Sequence, residues 1–551
     1  MMPAANQTER WRHAPRTRIL AAALGLALLA GCAAVPGGMP ALPFGGAAAG
    51  AIPNPLGPLA PPQPRLWPDA AQDVLNQRAR GFGLVHAPEL QRYLDSLYAR
   101  IKTQAGVPAW PGGVQIVANE SLEAYATAAG NIYVSLPWLT SVESEDELVA
   151  LLSHEFGHVY LHYHELEGAI EGADMAAGTV GFGVALVKKT GQVTGWNQLD
   201  SLMAAYALGK GLATTVYSRS QESAADSFGL NLSLKLHYSY EHGLKAFLER
   251  IASWEDGNRA REVRRQEKLL AAIRADAVVN AQKTAGAGKP PTAAQLQIAQ
   301  TTGGLQGSLD AAVKGWGFQF EQVMGKLRSS HPDIKERIDA LARAVDAAPA
   351  AQGDADPVDA PLLAARKEKR TAGILANYDL AFRALSAPAD PASLAAARRA
   401  AAEPTASHAV PLFALYTVLG QQPALSNRRG ADPGQLLEAN FRSEPDRAWK
   451  LYMVRAEGLR GAQGAPAAKK VVESGLAYFG KAEDAWPDAI RFYGETQGWD
   501  EAKRQAGDCG KQFRRAATRC NAAAVSPSEQ AEIDRKSKAK GESLSNKWLK
   551  K

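Results

Sequence analysis

The chain has 551 residues, 46 % hydrophobic and 21 % charged, which is enough apolar content for a sizeable core and too much for wholesale disorder. That length allows about three domains, and a mean hydropathy of −0.23 with a long apolar run only at the N-terminus excludes a polytopic membrane protein. The net charge is +6; without the four arginines and one glutamate of residues 1–31 it is +3, which makes no case for nucleic-acid binding.

Residues 10–18 are basic, and Ile19 to Ala30 form an apolar stretch of signal-peptide length, too short to span a bilayer. Leu29-Ala30-Gly31-Cys32 follows and resembles the lipobox of bacterial lipoproteins. The resemblance implies lipidation of Cys32 as the mature N-terminus. With Ala33 in place of an aspartate, it also implies an outer-membrane lipoprotein on the periplasmic face, held by acyl chains alone. Cys509 and Cys520 are then the remaining cysteines. An even remainder in an oxidising compartment suggests one disulfide, two buried thiols being the alternative.

Residues 32–66, rich in Ala, Gly and Pro, read as a tether. Within 88–105, Leu90, Tyr93, Leu94, Leu97 and Ile101 recur at helical spacing. Val114–Val117 and Ile132–Val134 read as short strands, with a turn at Ala128-Ala129-Gly130-Asn131 before the second. Ser144-Glu145-Asp146-Glu147 carries a helix-opening capping box, and Leu148, Leu151, Leu152 and Val159 give the following helix an apolar face. The small, apolar segment 171–187 suggests close packing or a plug beside a cleft. Residues 255–325 suggest an insertion with its own helices inside a domain spanning 67–345. A linker is expected at 346–366 and an all-helical domain at 367–525. Segments around Ala448–Tyr478 and Trp486–Ala516 have the length of tetratricopeptide-like helix pairs, and a charged tail (526–551) ends the chain.

The strongest signal is His154-Glu155-Phe156-Gly157-His158. Residues four apart share a helix face, so both imidazoles can bind one metal ion, with Glu155 near its open position. Zinc lowers the pKa of bound water to about 7, which suits a glutamate general base. Two residues compete as third protein ligand. His164 lies where an HExxHxxGxxH pattern places a third histidine, but Leu161 stands where that pattern needs a glycine turn. Glu222, in Ser218-Arg219-Ser220-Gln221-Glu222-Ser223-Ala224-Ala225-Asp226, shares a helix face with Asp226. One of those carboxylates can ligate while the other holds a histidine ligand by its outer N–H.

HExxH followed by ExxxD in this context resembles the HtpX-like and CAAX-prenyl-protease type 1 zinc metallopeptidases, gluzincins with periplasmic, BepA-like lipoprotein members. Two further elements are similar: Asn119 through Val134, with Gly130-Asn131-Ile132-Tyr133-Val134, and Ser330-His331-Pro332 with Arg337 beyond it. The resemblance covers about residues 85–345. It implies one Zn2+ held by His154, His158 and Glu222, with Glu155 as general base and Asp226 behind the ligands. His331 and Arg337 would lie over the cleft to stabilise an oxyanion, or His331 would hold the enzyme latent at the fourth zinc position. It also implies an edge strand near 131–135, where Asn131, Tyr133 and Ser135 would receive an extended substrate.

The expected fold is α+β and mainly helical: a zincin-type peptidase domain with a small β-sheet, then an all-α, tetratricopeptide-like domain. The expected function is a zinc endopeptidase of the bacterial envelope that cleaves unfolded or misfolded polypeptides, its helical domain receiving substrates or an envelope assembly partner. A periplasmic chaperone or scaffold with a latent zinc site and a cell-wall hydrolase are the rival readings.

Overall fold

In a computed structural model of the chain, residues 54–62, 68–161, 219–254, 257, 334–348, 356–422, 432–530 and 532 are described. The signal segment with Cys32, residues 171–187, nearly all of 255–325, and His162, His164 and His331 lie outside them. The described part is mainly helical with a three-stranded sheet. None of its helices is long and apolar enough to cross a membrane.

Helix α1 (Ala70–Ala79) is capped by Asp69, which accepts from the Ala71 and Gln72 amides. Helix α2 (Pro88–Gln104) buries Leu90, Leu94, Leu97 and Ile101, the expected stripe, with Tyr93 half-buried. Strands β1 (Val114–Val117), β2 (Ala124–Ala126) and β3 (Ile132–Ser135) follow. β3 lies in the centre of the sheet, parallel to β1 and antiparallel to β2. Its burial on both faces agrees with that position. Leu84 bridges to Val117 on the far side of β1.

Helix α3 (Leu136–Ser141) leads to helix α4, residues 145–161. The Ser144 hydroxyl accepts from the Glu147 amide at 3.1 Å, and the Glu147 carboxylate reaches back to the Glu143 amide, one residue further than a capping box requires. Helix α5 (Arg219–Lys235) lies against α4, with Gly229 close to His154 and Gly157 close to Ala225. A π-helical turn (Glu241–Lys245) opens helix α6 at 246–254. Helix α7 (Ile334–Asp346) completes the site.

The described parts of two segments expected as a tether and a linker are docked. The Gly57 carbonyl accepts from Asn231 Nδ2 (2.9 Å) and Lys235 Nζ (2.7 Å) of α5, while Ala60 O accepts from the Tyr160 hydroxyl of α4 (3.0 Å). The Val358 amide donates to Asp146 Oδ2 at 2.7 Å, and helix α8 (Ala360–Lys367) begins inside the expected linker.

The rest is a helical array: α9 (Lys369–Ser386), α10 (Pro391–Ala400), α11 (Ala409–Gln421), α12 (Glu438–Arg442), α13 (Trp449–Gln463), α14 (Ala465–Phe479), α15 (Trp486–Gln497), α16 (Trp499–Gln512) and α17 (Ala517–Ala523). α13 packs on α14 and α15 on α16, which are the two helix pairs read at those positions. Cys509 and Cys520 are joined, S–S 2.03 Å. A continuous core runs from the sheet and α4 into α9, α11 and α13, with Phe82 against Phe413 at 4.5 Å between ring centres.

Candidate metal centre

The site forms where α4, α5 and α7 meet. Glycines let the first two helices approach closely. A Cβ on Gly157 would stand 3.2 Å from Ala225 Cα, and one on Gly229 would stand 3.3 Å from the His154 amide nitrogen. Larger residues at either position would push α5 away and carry Glu222 with it.

His154 Nε2 and His158 Nε2 lie 3.2 Å apart, and each is 3.7 Å from a Glu222 oxygen. All three side chains are buried. These three residues form the group, among the described residues, whose ligand atoms fall within 4.8 Å of one another. Two nitrogens bound at about 2.0–2.1 Å to a tetrahedral zinc stand about 3.3–3.4 Å apart, so the spacing of the imidazoles suits the ion. The group can therefore bind a metal ion, and His154, His158 and Glu222 fit zinc.

Behind the ligands sits an ion-pair network. His154 Nδ1 is 3.0 Å from Asp226 Oδ1. Arg337 forks onto Asp226, Nε to Oδ2 and Nη2 to Oδ1 both at 2.7 Å, and its Nη1 lies 3.1 Å from Glu222 Oε2. Burial would raise the Asp226 carboxyl, but Arg337 and His154 overcome it and hold it down at about 2. Burial opposes charge on His154, yet Asp226, Glu222 and Glu155 outweigh it and raise the imidazole above its ordinary value. Phe247 of α6 packs against the His154 ring at 5.4 Å and stacks on Trp138. This apolar wall packs against the ring and limits its motion.

Glu155 is buried, and burial pushes its carboxyl up to about 7; Glu222 adds to the rise, while His154 and Arg337 oppose it. It hydrogen-bonds the Ala126 backbone of β2, and its Oε2 has no partner among the described residues. A carboxylate with one oxygen anchored, the other open and a pKa near neutrality is equipped to exchange a proton.

Two expectations are corrected. β3 is central, so Asn131, Tyr133 and Ser135 cannot receive a substrate. Asn131 spends its amide on Gly113, Ala70 and Asp73, the Tyr133 hydroxyl donates to Asp73 at 2.7 Å, and Ser135 Oγ accepts from the Glu123 amide. The open edge is β2, whose outer side no described strand covers. Glu123 O and Thr127 N bond toward β3, so alternation turns the peptide groups of Ala124 and Ala126 outward, on the side where Glu155 lies. Arg337 is not over the cleft. All three of its guanidinium nitrogens are engaged with Asp226 and Glu222, which makes it a positioning group for the ligands rather than a catalytic one.

Residues 88–345 match peptidase family M48. The match spans the sheet, α4 and its HExxH, Glu222, Asp226 and Arg337, and it supports an M48 metallopeptidase; such enzymes are typically zinc-dependent. It ends before the helical array. No curated protein matches the chain.

Ala126 and Phe247 are the site residues that the sequence did not mark. An alanine carries no chemical signal, and its role here belongs to the backbone. Phe247 reads as one more apolar position in a helix.

Proposed function

We propose that the protein is a zinc-dependent endopeptidase of the bacterial envelope, anchored to the outer membrane through Cys32 and facing the periplasm, where it cleaves unfolded or misfolded proteins. One observation carries the reading. Glu155 keeps an unpartnered buried oxygen beside a three-residue ligand group, an arrangement that a purely structural metal has no use for.

A bound zinc supplies Lewis acidity and lowers the pKa of water. The chain's own residues do the rest. Asp226 and Arg337 hold His154 and Glu222 in ligating orientation. An extended polypeptide adds to the outer edge of β2 through the peptide groups of Ala124 and the Ala126 carbonyl, which needs main chain more than side-chain identity. A folded protein cannot offer such a segment, so unfolded chains are the fitting substrates. Glu155 takes a proton from the attacking water and delivers it to the leaving amide nitrogen as the peptide C–N bond breaks. The α13–α14 and α15–α16 pairs, read as tetratricopeptide-like, offer a surface for substrates or an assembly partner.

The test is cleavage of casein by the zinc-loaded protein beside Glu155→Gln and a chelator control. Loss of cleavage in both, with about 10²–10⁴-fold less activity in the variant, is the expected result. A folded, zinc-loaded wild type that leaves casein intact would refute it and favour a chaperone role, whereas activity on purified peptidoglycan would favour a cell-wall hydrolase.

A further inference from the structure

Helix α1 has ten residues and makes polar contacts in two directions. On one side Asp73 presents a single oxygen, Oδ2, to three donors of the β2–β3 hairpin: Thr127 Oγ1 at 2.8 Å, Asn131 Nδ2 at 2.8 Å and the Tyr133 hydroxyl at 2.7 Å. The Ala70 carbonyl of the same helix accepts a further bond from Asn131 Nδ2. Such charge-assisted bonds are the strong ones, and here they converge on the turn that joins the open edge strand to the centre of the sheet.

On the other side α1 is bonded to the helical array. Gln72 Nε2 donates to Lys481 O at 2.7 Å, Asn76 Oδ1 accepts from the Glu483 amide at 3.2 Å, and Arg78 Nη1 donates to Glu444 O at 3.0 Å. Just past the helix, Arg80 Nε meets the buried Asp484 at 2.6 Å. Ala79 and Leu75 join the apolar cluster built on Trp449 and Phe479. The same ten residues therefore fix the hairpin against the array.

The hairpin bears directly on the chemistry. Ala126, one residue before Thr127, hydrogen-bonds Glu155, and its outward carbonyl forms part of the edge to which a substrate would add. We infer that Asp73 is a positioning residue for Glu155 and for the β2 edge, and that the helical array sets that position through α1. The inference rests on the peptidase reading above. It adds that the C-terminal array is part of what builds the active site, and not solely a surface for recruitment.

The metal ligands lie on α4 and α5, which Asp73 does not touch. Substituting it should therefore spare zinc binding and disturb cleavage. A misplacement on the order of 1 Å at a reacting group costs about 100-fold in rate, so Asp73→Ala should lower kcat/KM for casein by about 10- to 100-fold. Asp73→Asn can turn its amide oxygen toward the same three donors and should recover most of the loss. Arg80→Ala, on the array side, should lower kcat/KM in the same direction.

The experiment uses the full, zinc-loaded chain at a temperature where circular dichroism shows every variant folded. It records zinc affinity, kcat and KM on casein, and amide hydrogen exchange across residues 124–135. Faster exchange in that hairpin for both Asp73→Ala and Arg80→Ala, unchanged zinc affinity, and a combined variant no worse than the weaker single one are expected of one linked device. Wild-type exchange at 124–135 in Arg80→Ala would overturn the link to the array. Wild-type kcat/KM in a folded Asp73→Ala that merely melts earlier would reduce Asp73 to a stabilising residue. Should Asp73→Ala not fold, Arg80→Ala and Asp73→Asn decide by the same readouts. Should the wild type fail to cleave, the proposed function falls, and hydrogen exchange, which needs no substrate, still judges the α1 link alone.

Discussion

Replacing Asp226 by Asn probes the network behind the metal ligands most directly. Both Asp226 oxygens accept: Oδ1 from Arg337 Nη2 and facing His154 Nδ1, Oδ2 from Arg337 Nε. An amide has one acceptor, so in either orientation its NH2 group confronts an N–H. The guanidinium, only 8 % exposed, would keep Glu222 at 3.1 Å as its remaining ion-pair partner within 4 Å among the described residues. Breaking a buried pair costs about 3–5 kcal/mol, and the surviving Glu222 contact places the loss near about 3 kcal/mol. The His154 ring would lose the partner that fixes its tautomer, which lowers metal affinity about 10- to 100-fold, or about 1.4–2.7 kcal/mol. Urea melts of the metal-stripped protein report the first quantity and competition with a chromogenic chelator the second. Arg337→Gln and the double variant complete a cycle, and a network of this kind should show non-additivity above about 0.5 kcal/mol. Asp226→Asn with stability within about 0.5 kcal/mol of wild type and unchanged zinc affinity would refute this account of the site.

The other predictions concern pH, packing and the crosslink. His154 must be neutral to bind metal and its pKa is raised, so zinc affinity should fall on acidification from above pH 6.5; a flat chelator titration between pH 8 and 6 would contradict this. Asp226 titrates at about 2 instead of 3.8, so its contribution to the metal-stripped fold, roughly 2 kcal/mol, should be complete above about pH 5 and lost as pH falls through about 2. Wild type and Asp226→Asn should therefore converge in urea stability at the acid end. In α14, a Cβ on Gly475 would stand 2.7 Å from Trp449 Cζ3 and 2.9 Å from Tyr452 Cδ1. Gly475→Ala should therefore destabilise by about 1–3 kcal/mol despite its better helix propensity, read as a lowered Tm. Reducing Cys509–Cys520, which closes a separation of 11 residues, should cost up to about 3 kcal/mol; non-reducing peptide mapping that found two alkylatable thiols in oxidised protein would refute the bridge.

Local patterns made part of this molecule legible in advance. The i, i+4 spacing of His154 and His158, the cap at Ser144 and the stripe along α2 are written within one to three helical turns, and the structure places them as read apart from Glu147, which reaches Glu143. Glu222 and Asp226 were legible as a same-face pair, and their pairing with α4 followed from resemblance. The misplaced features are those that distant pairing decides. Ile132–Ser135 reads as an edge strand until β1, eighteen residues upstream in register, pairs with it from one side and β2 from the other. Ala124-Tyr125-Ala126 is too short to announce itself as the open edge. Arg337 gives its charge but not its direction, because that depends on how α7 lies against α5. The composition of 54–62 promises a flexible chain, yet its backbone carbonyls, which every residue carries, dock it on Asn231, Lys235 and Tyr160.

The contacts of α1 also order events in time. Gln72 finds its partner 409 residues later in the chain, and Asn76 finds its partner 407 residues later. At about 5–20 residues per second, synthesis of that interval takes roughly 20–80 s. Once α5 has been made, the rest of that interval leaves the ligand helices present while the helix that braces the β2 edge has no array to rest on. The protein's own chain is unfolded during the same period and, under the proposed function, would be a substrate. Under the proposed function, completing the brace only with the last quarter of the sequence would delay full activity until the chain has buried the extended segments that such an enzyme would cut.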